Sequence, residues 1–342
     1  MRVLLVGFGS VGRALAQLLE QRRDDLYKRM GLAPRLVCVI DSGGAAISEH
    51  GLSSADLLAT KTATGSVSNL PAYGIKDKDS ARLVRDAHAD VVIESSPSVL
   101  TNPHPAFEHL KAAFASRKHA ISVNKAPLAV AMPALMELAR FNRVQFRYSG
   151  TVGAGTPVLA TARTLAAGDR ILKIRGIMNG TTNFILHRMA ENGDTYNAAL
   201  GEAVRLGYAE TDPTTDVEGV DTATKVVILA NAVLRLGATI KDVKVQGIRD
   251  IERAAVEAAR HTGQSLKLIG EIDATTHALS VRPQPVPMHG PMDVPANLNA
   301  AQFTLESAGE VTLVGRGAGG PETATAILRD LVDIWHASGA HH

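Results

Sequence analysis

Five carboxylates, Glu210, Asp212, Asp216, Glu218 and Asp221, crowd one short stretch that ends in Lys225. Asp221 and Lys225 are four residues apart, so on a helix they share a face and can pair. In an arbitrary sequence that is a solvated acidic loop followed by a routine surface pair. Here Lys225 is followed by VVILANAVL, which puts its helix in the interior, and a buried ammonium needs a partner. An ammonium held in that way can stabilise negative charge on a carbonyl oxygen and then protonate it. The neighbouring carboxylates can hold a cationic group such as an amine. Lys125, in NKAPLA, is either a solvated lysine of a strand-to-helix turn or a group at the carboxyl edge of a sheet, where ligands bind.

A second constellation stands at the N-terminus, where Gly7, Phe8, Gly9, Ser10, Val11 and Gly12 read GFGSVG. G-x-G-x-x-G has meaning only directly after a strand and opening a helix, and that is its place here. The first glycine permits a tight turn, the second lets a pyrophosphate approach the backbone, and the third lets helix and strand pack closely. Asp41 closes the next apolar run, where a carboxylate can accept hydrogen bonds from the adenine ribose. The cofactor is therefore NAD or NADP. No Arg follows Asp41 within the next few residues, which favours NAD; Lys61 is the candidate to supply the missing charge to a 2′-phosphate.

The elements that must position these groups follow from periodicity. Strands are predicted at Arg2–Val6, Leu36–Ile40, Val91–Glu94, His119–Val123 and Val144–Tyr148, with helices over 10–23, 105–118 and 133–143 between them. Strands alternating with helices predict an α/β fold with a Rossmann-type, doubly wound parallel sheet. After Gly150 the texture changes, and a second, α+β domain is predicted. It has a strand at LKIRGIM, helices over TTNFILHRMAENG, TYNAALGEAVRLG and VEGVDTATKVVILANAVLR, and strands at KLIGEID, AQFTLES and EVTLVG. The Pro-, Met- and Asn-rich stretch 283–299 predicts a loop or linker. A final helix is expected over Pro321–Trp335.

Composition narrows the class. The chain has 342 residues, 45% hydrophobic and 20% charged, with a formal net charge of +2 and one Cys, which is ample for packed cores and excludes a disulfide framework. Cys38, inside the second strand, is a small buried hydrophobe. A reducing, cytoplasmic compartment is expected. No apolar run approaches the roughly 20 residues a membrane-spanning helix needs, and no long basic block invites nucleic acid. The twelve histidines show no H-E-x-x-H or comparable metal spacing.

With those residues in place, the sequence resembles homoserine dehydrogenase nearly end to end. GFGSVG, SVNKAPLA (122–129), GTVGAGTPV (150–158), GIMNGTTNFIL (176–186), GYAETDPTTDVEGVDTATK (207–225) and GRGAGGPETATAIL occur in that family's order. The resemblance implies that Lys125 and Lys225 are catalytic, with Lys225 the proton donor and Asp221 its orienting partner. It implies that Glu210 and Asp216 hold the amino acid end of the substrate and that Thr181 and Tyr208 line the pocket. Ser96 falls where the family has a threonine near the nicotinamide. The implied reaction is reduction of L-aspartate 4-semialdehyde to L-homoserine.

One departure stands out. The family carries a Glu shortly before TVGAGTP, where it helps bind a structural sodium with the backbone carbonyls of Val152, Ala154 and Thr156; here that position is Ser149. A neutral hydroxyl is a much weaker cation ligand. The family's layout implies a dinucleotide-binding domain over 1–134 completed by 318–342, and a dimerisation and catalytic domain over 135–317. It also implies a homodimer formed in part by residues 133–150; with the sequence ending soon after GRGAGGPETATAILRDLVDIW, the C-terminal regulatory domain of the family's longer members is not expected. Two rivals remain: an oxidoreductase on the same scaffold with another semialdehyde or amine substrate, and a silent dinucleotide sensor. The full acidic loop and both lysines disfavour them.

Overall fold

The apolar run after Met1 forms β1 (Arg2–Val6), followed by α1 (Ser10–Met30), β2 (Arg35–Asp41), β3 (Gly44–Ile47), α2 (Ser54–Thr64) and β4 (Gly74–Ile75). Then come α3 (Ser80–Asp86), β5 (Val91–Glu94), α4 (Ala106–Ala115), β6 (His119–Ser122), α5 (Ala126–Phe141) and β7 (Phe146–Arg147). The strands make one sheet in the order β4-β3-β2-β1-β5-β6-β7. From β2 to β7 the pairing is parallel; β3 and β4 add an antiparallel edge. The chain order reverses on either side of β1, so the carboxyl end of β1 marks the crevice where such sheets bind ligands.

The second sheet follows. Its elements are α6 (Val158–Gly168), β8 (Ile171–Ile177), α7 (Gly180–Asn192), α8 (Tyr196–Arg205), α9 (Thr214–Val217), α10 (Val220–Leu234), β9 (Val243–Val245) and α11 (Arg253–His261), then β10 (Gln264–Asp273), β11 (Leu279–Pro287), β12 (Leu298–Leu305) and β13 (Gly309–Arg316). The order is β13-β12-β8-β10-β11-β9, antiparallel except for β11 with β9. The chain closes with α12 (Gly320–Ala337).

This computed structural model describes residues 1–339; the last three of the expected span 318–342 lie outside the described residues. By its contacts the chain divides into two units, residues 1–155 with 319–339, and residues 156–318. In the first, Leu15, Ala16 and Leu19 of α1 share a core with Ala324, Ile327 and Leu331 of α12, and Trp335 Nε1 donates to Met30 O at 2.8 Å. In the second, Ile177, Ile269, Val286, Met292, Val294 and Ala300 form a core. This is the expected α/β architecture with a second α+β unit. Residues 135–155, predicted with the second domain, pack in the first unit, where Leu135, Ala139 and Phe146 are buried.

Three sequence expectations need correction. α1 continues to Met30 instead of ending at Arg23, because its polar second half keeps Leu26 in the core and pairs Arg22 with Asp25 on the exposed face. α5 begins at Ala126, with Pro127 in the tolerant first turn and Pro133 accommodated by a kink at Ala131 (φ −142°). Part of the predicted 283–299 loop is strand. In β11, Pro283, Pro285 and Pro287 oppose Leu268, Leu266 and Gln264 of β10. Alternate residues direct their backbone amides to the same side, so the three missing N–H groups all fall on one edge. β9 pairs only with Leu279–Val281, which leaves that edge unladdered beyond Val281 among the described residues.

Candidate active site

The glycine loop after β1 shows three different reasons for glycine. A Cβ on Gly7 (φ +92°) would stand 2.5 Å from Ser95 O, and one on Gly12 would stand 2.2 Å from Gly7 O. At Gly9 a Cβ would meet nothing within 4 Å, so the space beside that backbone is open. Gly9 caps α1 without a side-chain hydrogen bond, and the first turn has no acidic residue. The first-turn N–H groups and the helix's partial positive charge suit an anion. Phe8 is buried, Ser10 exposed and Val11 half-buried. These residues fit the pyrophosphate of a dinucleotide.

Asp41 sits at the end of β2 as expected, but its carboxylate is already engaged. Oδ2 accepts from Lys61 Nζ at 2.7 Å and Val67 N at 3.0 Å; Oδ1 accepts from Ser66 Oγ at 2.7 Å and Gly43 N at 2.9 Å. The side chain is 3% exposed. Burial opposes its charge, yet the hydrogen bonds from Lys61, Ser66, Val67 and Gly43 outweigh burial and hold the carboxyl below its ordinary value. Four donors fill the acceptor sites of a carboxylate. The group nearest a ribose-binding role is thus a paired Asp41 and Lys61. Cys38 is buried and its thiol is pushed up to about 12 by that burial, which leaves it inert.

Ser96 lies just past β5 and is fixed from below. Its hydroxyl donates to Glu94 Oε1, which also accepts Ser96 N at 2.8 Å. Glu94 is fully buried, and its other oxygen meets His109 Nδ1 at 2.5 Å; His109 Nε2 meets Ser80 Oγ at 2.7 Å. Asn124 ties this loop to the next: Nδ2 donates to Ser96 Oγ at 3.3 Å and Pro97 O at 3.1 Å, and Oδ1 accepts from Ser98 Oγ and Ala126 N. Lys125, half-buried at the N-cap of α5, donates its backbone N–H to Ser98 Oγ at 2.8 Å. Glu94, His109 and Asn124 were not singled out from sequence. Their signal was a carboxylate ending the otherwise apolar strand VVIE and an Asn opening NKAP.

The loop that the resemblance assigns to a monovalent cation, and where Ser149 already argued against one, has a different content. Ser149 N donates to Asp330 Oδ2 at 2.9 Å. Arg329 of α12 donates to Gly155 O at 2.8 Å and Ala154 O at 3.4 Å. The carbonyl of Thr156 accepts from Val158 N at 2.8 Å, and Val152 is buried. With a hydroxyl at 149 and a guanidinium on the Ala154 carbonyl, this donor set does not fit a metal ion.

In the second unit the acidic stretch is sorted by the fold. Gly270 of β10 lets α10 approach the sheet closely, since a Cβ there would stand 2.7 Å from Val226 Cγ2 and 3.0 Å from Thr222 Cγ2. That approach buries Asp221 and Lys225, each 6% exposed. Lys225 Nζ donates to Asp221 Oδ2 at 2.6 Å and to the carbonyl of Met178. Asn179, the N-cap of α7, donates to the same Asp221 oxygen at 3.0 Å and to Asp216 Oδ1 at 2.6 Å, while its own Oδ1 caps Thr182 N. Thr181 Oγ1 donates to Tyr208 O at 2.6 Å, and the half-exposed Tyr208 ring leans on Phe184 at 4.9 Å. Glu210 is exposed. The other two carboxylates do local work: Asp212 accepts from Thr214 N, and Glu218 pairs with Arg249 at the surface. A cavity of about 630 Å³ in this unit is lined by Tyr196, Pro213, Thr214 and Arg249 among others, and by none of the predicted site residues.

A dinucleotide loop on a doubly wound sheet, together with a buried lysine held by a carboxylate in a second unit, defines the class as an NAD(P)-dependent oxidoreductase of small-molecule substrates. A family model described as homoserine dehydrogenase matches residues 157–332. The chain belongs to the homoserine dehydrogenase family. It is 43% identical to the homoserine dehydrogenase of Methanocaldococcus jannaschii over 338 residues, covering 99% of both chains. It is 39% identical to an NAD(+)-dependent homoserine dehydrogenase of Pseudomonas canavaninivorans, covering 97% of this chain and 96% of that one. The crystal structure of a putative homoserine dehydrogenase from Archaeoglobus fulgidus matches with a TM-score of 0.89 and 37% identity over 98% of this chain and 99% of that one. Among the described residues no helix is long and apolar enough to cross a membrane.

Proposed function

We propose that the chain catalyses the reversible reduction of L-aspartate 4-semialdehyde to L-homoserine with NADH or NADPH. The observation that carries this reading is the buried group Lys225, Asp221 and Asn179 with the half-buried Asp216, joined by hydrogen bonds of 2.6–3.0 Å. The chemistry that bound NAD(P)H supplies is a hydride for the aldehyde carbon. As that carbon is reduced, negative charge grows on its oxygen. The Lys225 ammonium stabilises the charge and passes a proton to the oxygen, leaving a neutral amine and the product hydroxyl. In the oxidative direction the neutral amine removes that proton.

Asp221 holds Lys225 in place, and Asn179 fixes Asp221 relative to Asp216. Asp216 and Glu210 hold the substrate's own ammonium group, while Thr181 and Tyr208 border it. Lys125 is the second catalytic lysine and Ser96 contacts the nicotinamide end of the cofactor; the buried Glu94 supports that hydroxyl. Gly7 to Gly12 receive the pyrophosphate, and the Asp41 and Lys61 pair sets the charge beside the adenine ribose.

Homodimer formation is part of the proposal: Phe141 and Val130 of α5 are 83% and 59% exposed, an apolar surface that a second copy would cover. A cytoplasmic site of action agrees with a single, unreactive Cys38. Absorbance at 340 nm with L-homoserine and NAD or NADP at mildly alkaline pH tests the reaction. Homoserine-dependent reduction is expected; cofactor binding without reduction would overturn the assignment. Light scattering on the eluting peak tests the dimer.

A further inference from the structure

We propose that the guanidinium of Arg329 is the resident cation of the 149–155 loop, and that the fold of the first unit therefore needs no monovalent metal ion there. The loop turns through two consecutive left-handed residues, Gly153 (φ +82°) and Ala154 (φ +43°). A non-glycine residue in that region is strained, so something must hold it. Arg329 does so directly, with Nη1 on the Gly155 carbonyl at 2.8 Å and Nη2 on the Ala154 carbonyl at 3.4 Å. A planar guanidinium that is always charged is suited to gathering adjacent carbonyls in this way.

The next residue completes the arrangement. Asp330 is fully buried and its Oδ2 accepts the Ser149 amide at 2.9 Å. One turn of α12 thus brings a cation to the loop's carbonyls and an acceptor to its backbone N–H, where the resemblance implies a metal ion and a glutamate at position 149. The loop is packed along the same helix: a Cβ on Gly150 would stand 3.3 Å from Thr323 Cγ2, and one on Gly155 would stand 3.3 Å from Glu322 Cβ. A metal ion sharing the Ala154 carbonyl would face a positive charge a few ångströms away, which weakens its binding by roughly a hundredfold at a protein-like dielectric.

The test is thermal unfolding of the full chain, followed by its one tryptophan, Trp335 on α12, in sodium, potassium or tetramethylammonium chloride at equal ionic strength. The wild-type midpoint is expected to be the same in all three within about 1 °C, and Arg329→Met to unfold several degrees lower. Arg329→Lys, which keeps the charge and loses the fork, should fall between them, and it serves if the Met variant does not fold. Saturable stabilisation of the wild type by sodium or potassium would overturn the proposal, as would an Arg329→Met protein as stable as wild type. All readouts are stability measurements, so they stand whether or not the protein turns over homoserine.

Discussion

The ammonium of Lys225 lies 2.6 Å from the carboxylate of Asp221 one helical turn away, and both side chains are 8% exposed. A buried ion pair is costly to desolvate and adds little net stability, so the proposed proton-donor role of Lys225 is tested by removing it. Lys225→Ala is expected to lower turnover by about 10²–10⁴-fold, the range for loss of a positioned proton donor with its charge. NADH binding, followed by its fluorescence, should be unchanged because the glycine loop is untouched. Turnover within a few-fold of wild type would remove Lys225 from the chemistry.

Asn179 connects both carboxylates to the start of α7. Asn179→Ala removes a helix cap at a cost of about 1 kcal/mol and releases Asp216 and Asp221 from each other. With Asp216 and Asp221 in their proposed roles, steady-state kinetics should show a raised KM for homoserine together with a lower kcat, since both carboxylates lose their anchor. Asn179→Asp keeps the cap but places a third carboxylate beside two others, and should recover stability without recovering kcat. If the Asp variant restores both, the residue is a cap and nothing more.

In the proposed reading, the Asp41 and Lys61 pair makes cofactor preference a matter of charge balance. Removing the carboxylate with Asp41→Ala leaves the Lys61 ammonium unneutralised, which favours a 2′-phosphate. The ratio of kcat/KM for NADP over NAD is expected to rise about tenfold, equivalent to about 1.4 kcal/mol. Lys61→Met should move the ratio the other way. Equal changes with both cofactors would separate this pair from the ribose.

What could be read from sequence followed from how local its physics is. The β1 strand, the glycine turn and α1 are consecutive, so spacing alone identifies them. Asp221 and Lys225 share a helix, so their pairing is visible at four residues' separation. Asn179 reaches Asp216 and Asp221 across 37 and 42 residues, and no local pattern encodes that contact; only its place as a cap before GTT hinted at a role. The place of Asp41 at the end of β2 is legible from the apolar run before it, but the Lys61 and Ser66 donors that occupy its carboxylate come from α2 and the segment after it. β11 was missed because proline argues against strand unless the paired edge is known. The Arg329 contact with the 149–155 loop spans about half the chain, and nothing near either partner signals it.

Asp330 allows a test of pH dependence. Burial pushes its carboxyl up to about 6 from the ordinary 3.8, against the hydrogen bonds from Ser149, and its Oδ1 has no hydrogen-bond partner among the described residues. The folded protein therefore holds this proton more tightly than the unfolded chain. Its contribution is most favourable below pH 4 and is lost as pH rises through about 6, amounting to about 3 kcal/mol for the full shift. Asp330→Asn keeps an acceptor for Ser149 N and has no charge to bury. In urea titrations the variant should gain on wild type as pH goes from 4 to 7, with the difference flat above 7. A difference between the two proteins that does not change across that range would mean that the Asp330 carboxyl titrates as an ordinary aspartate.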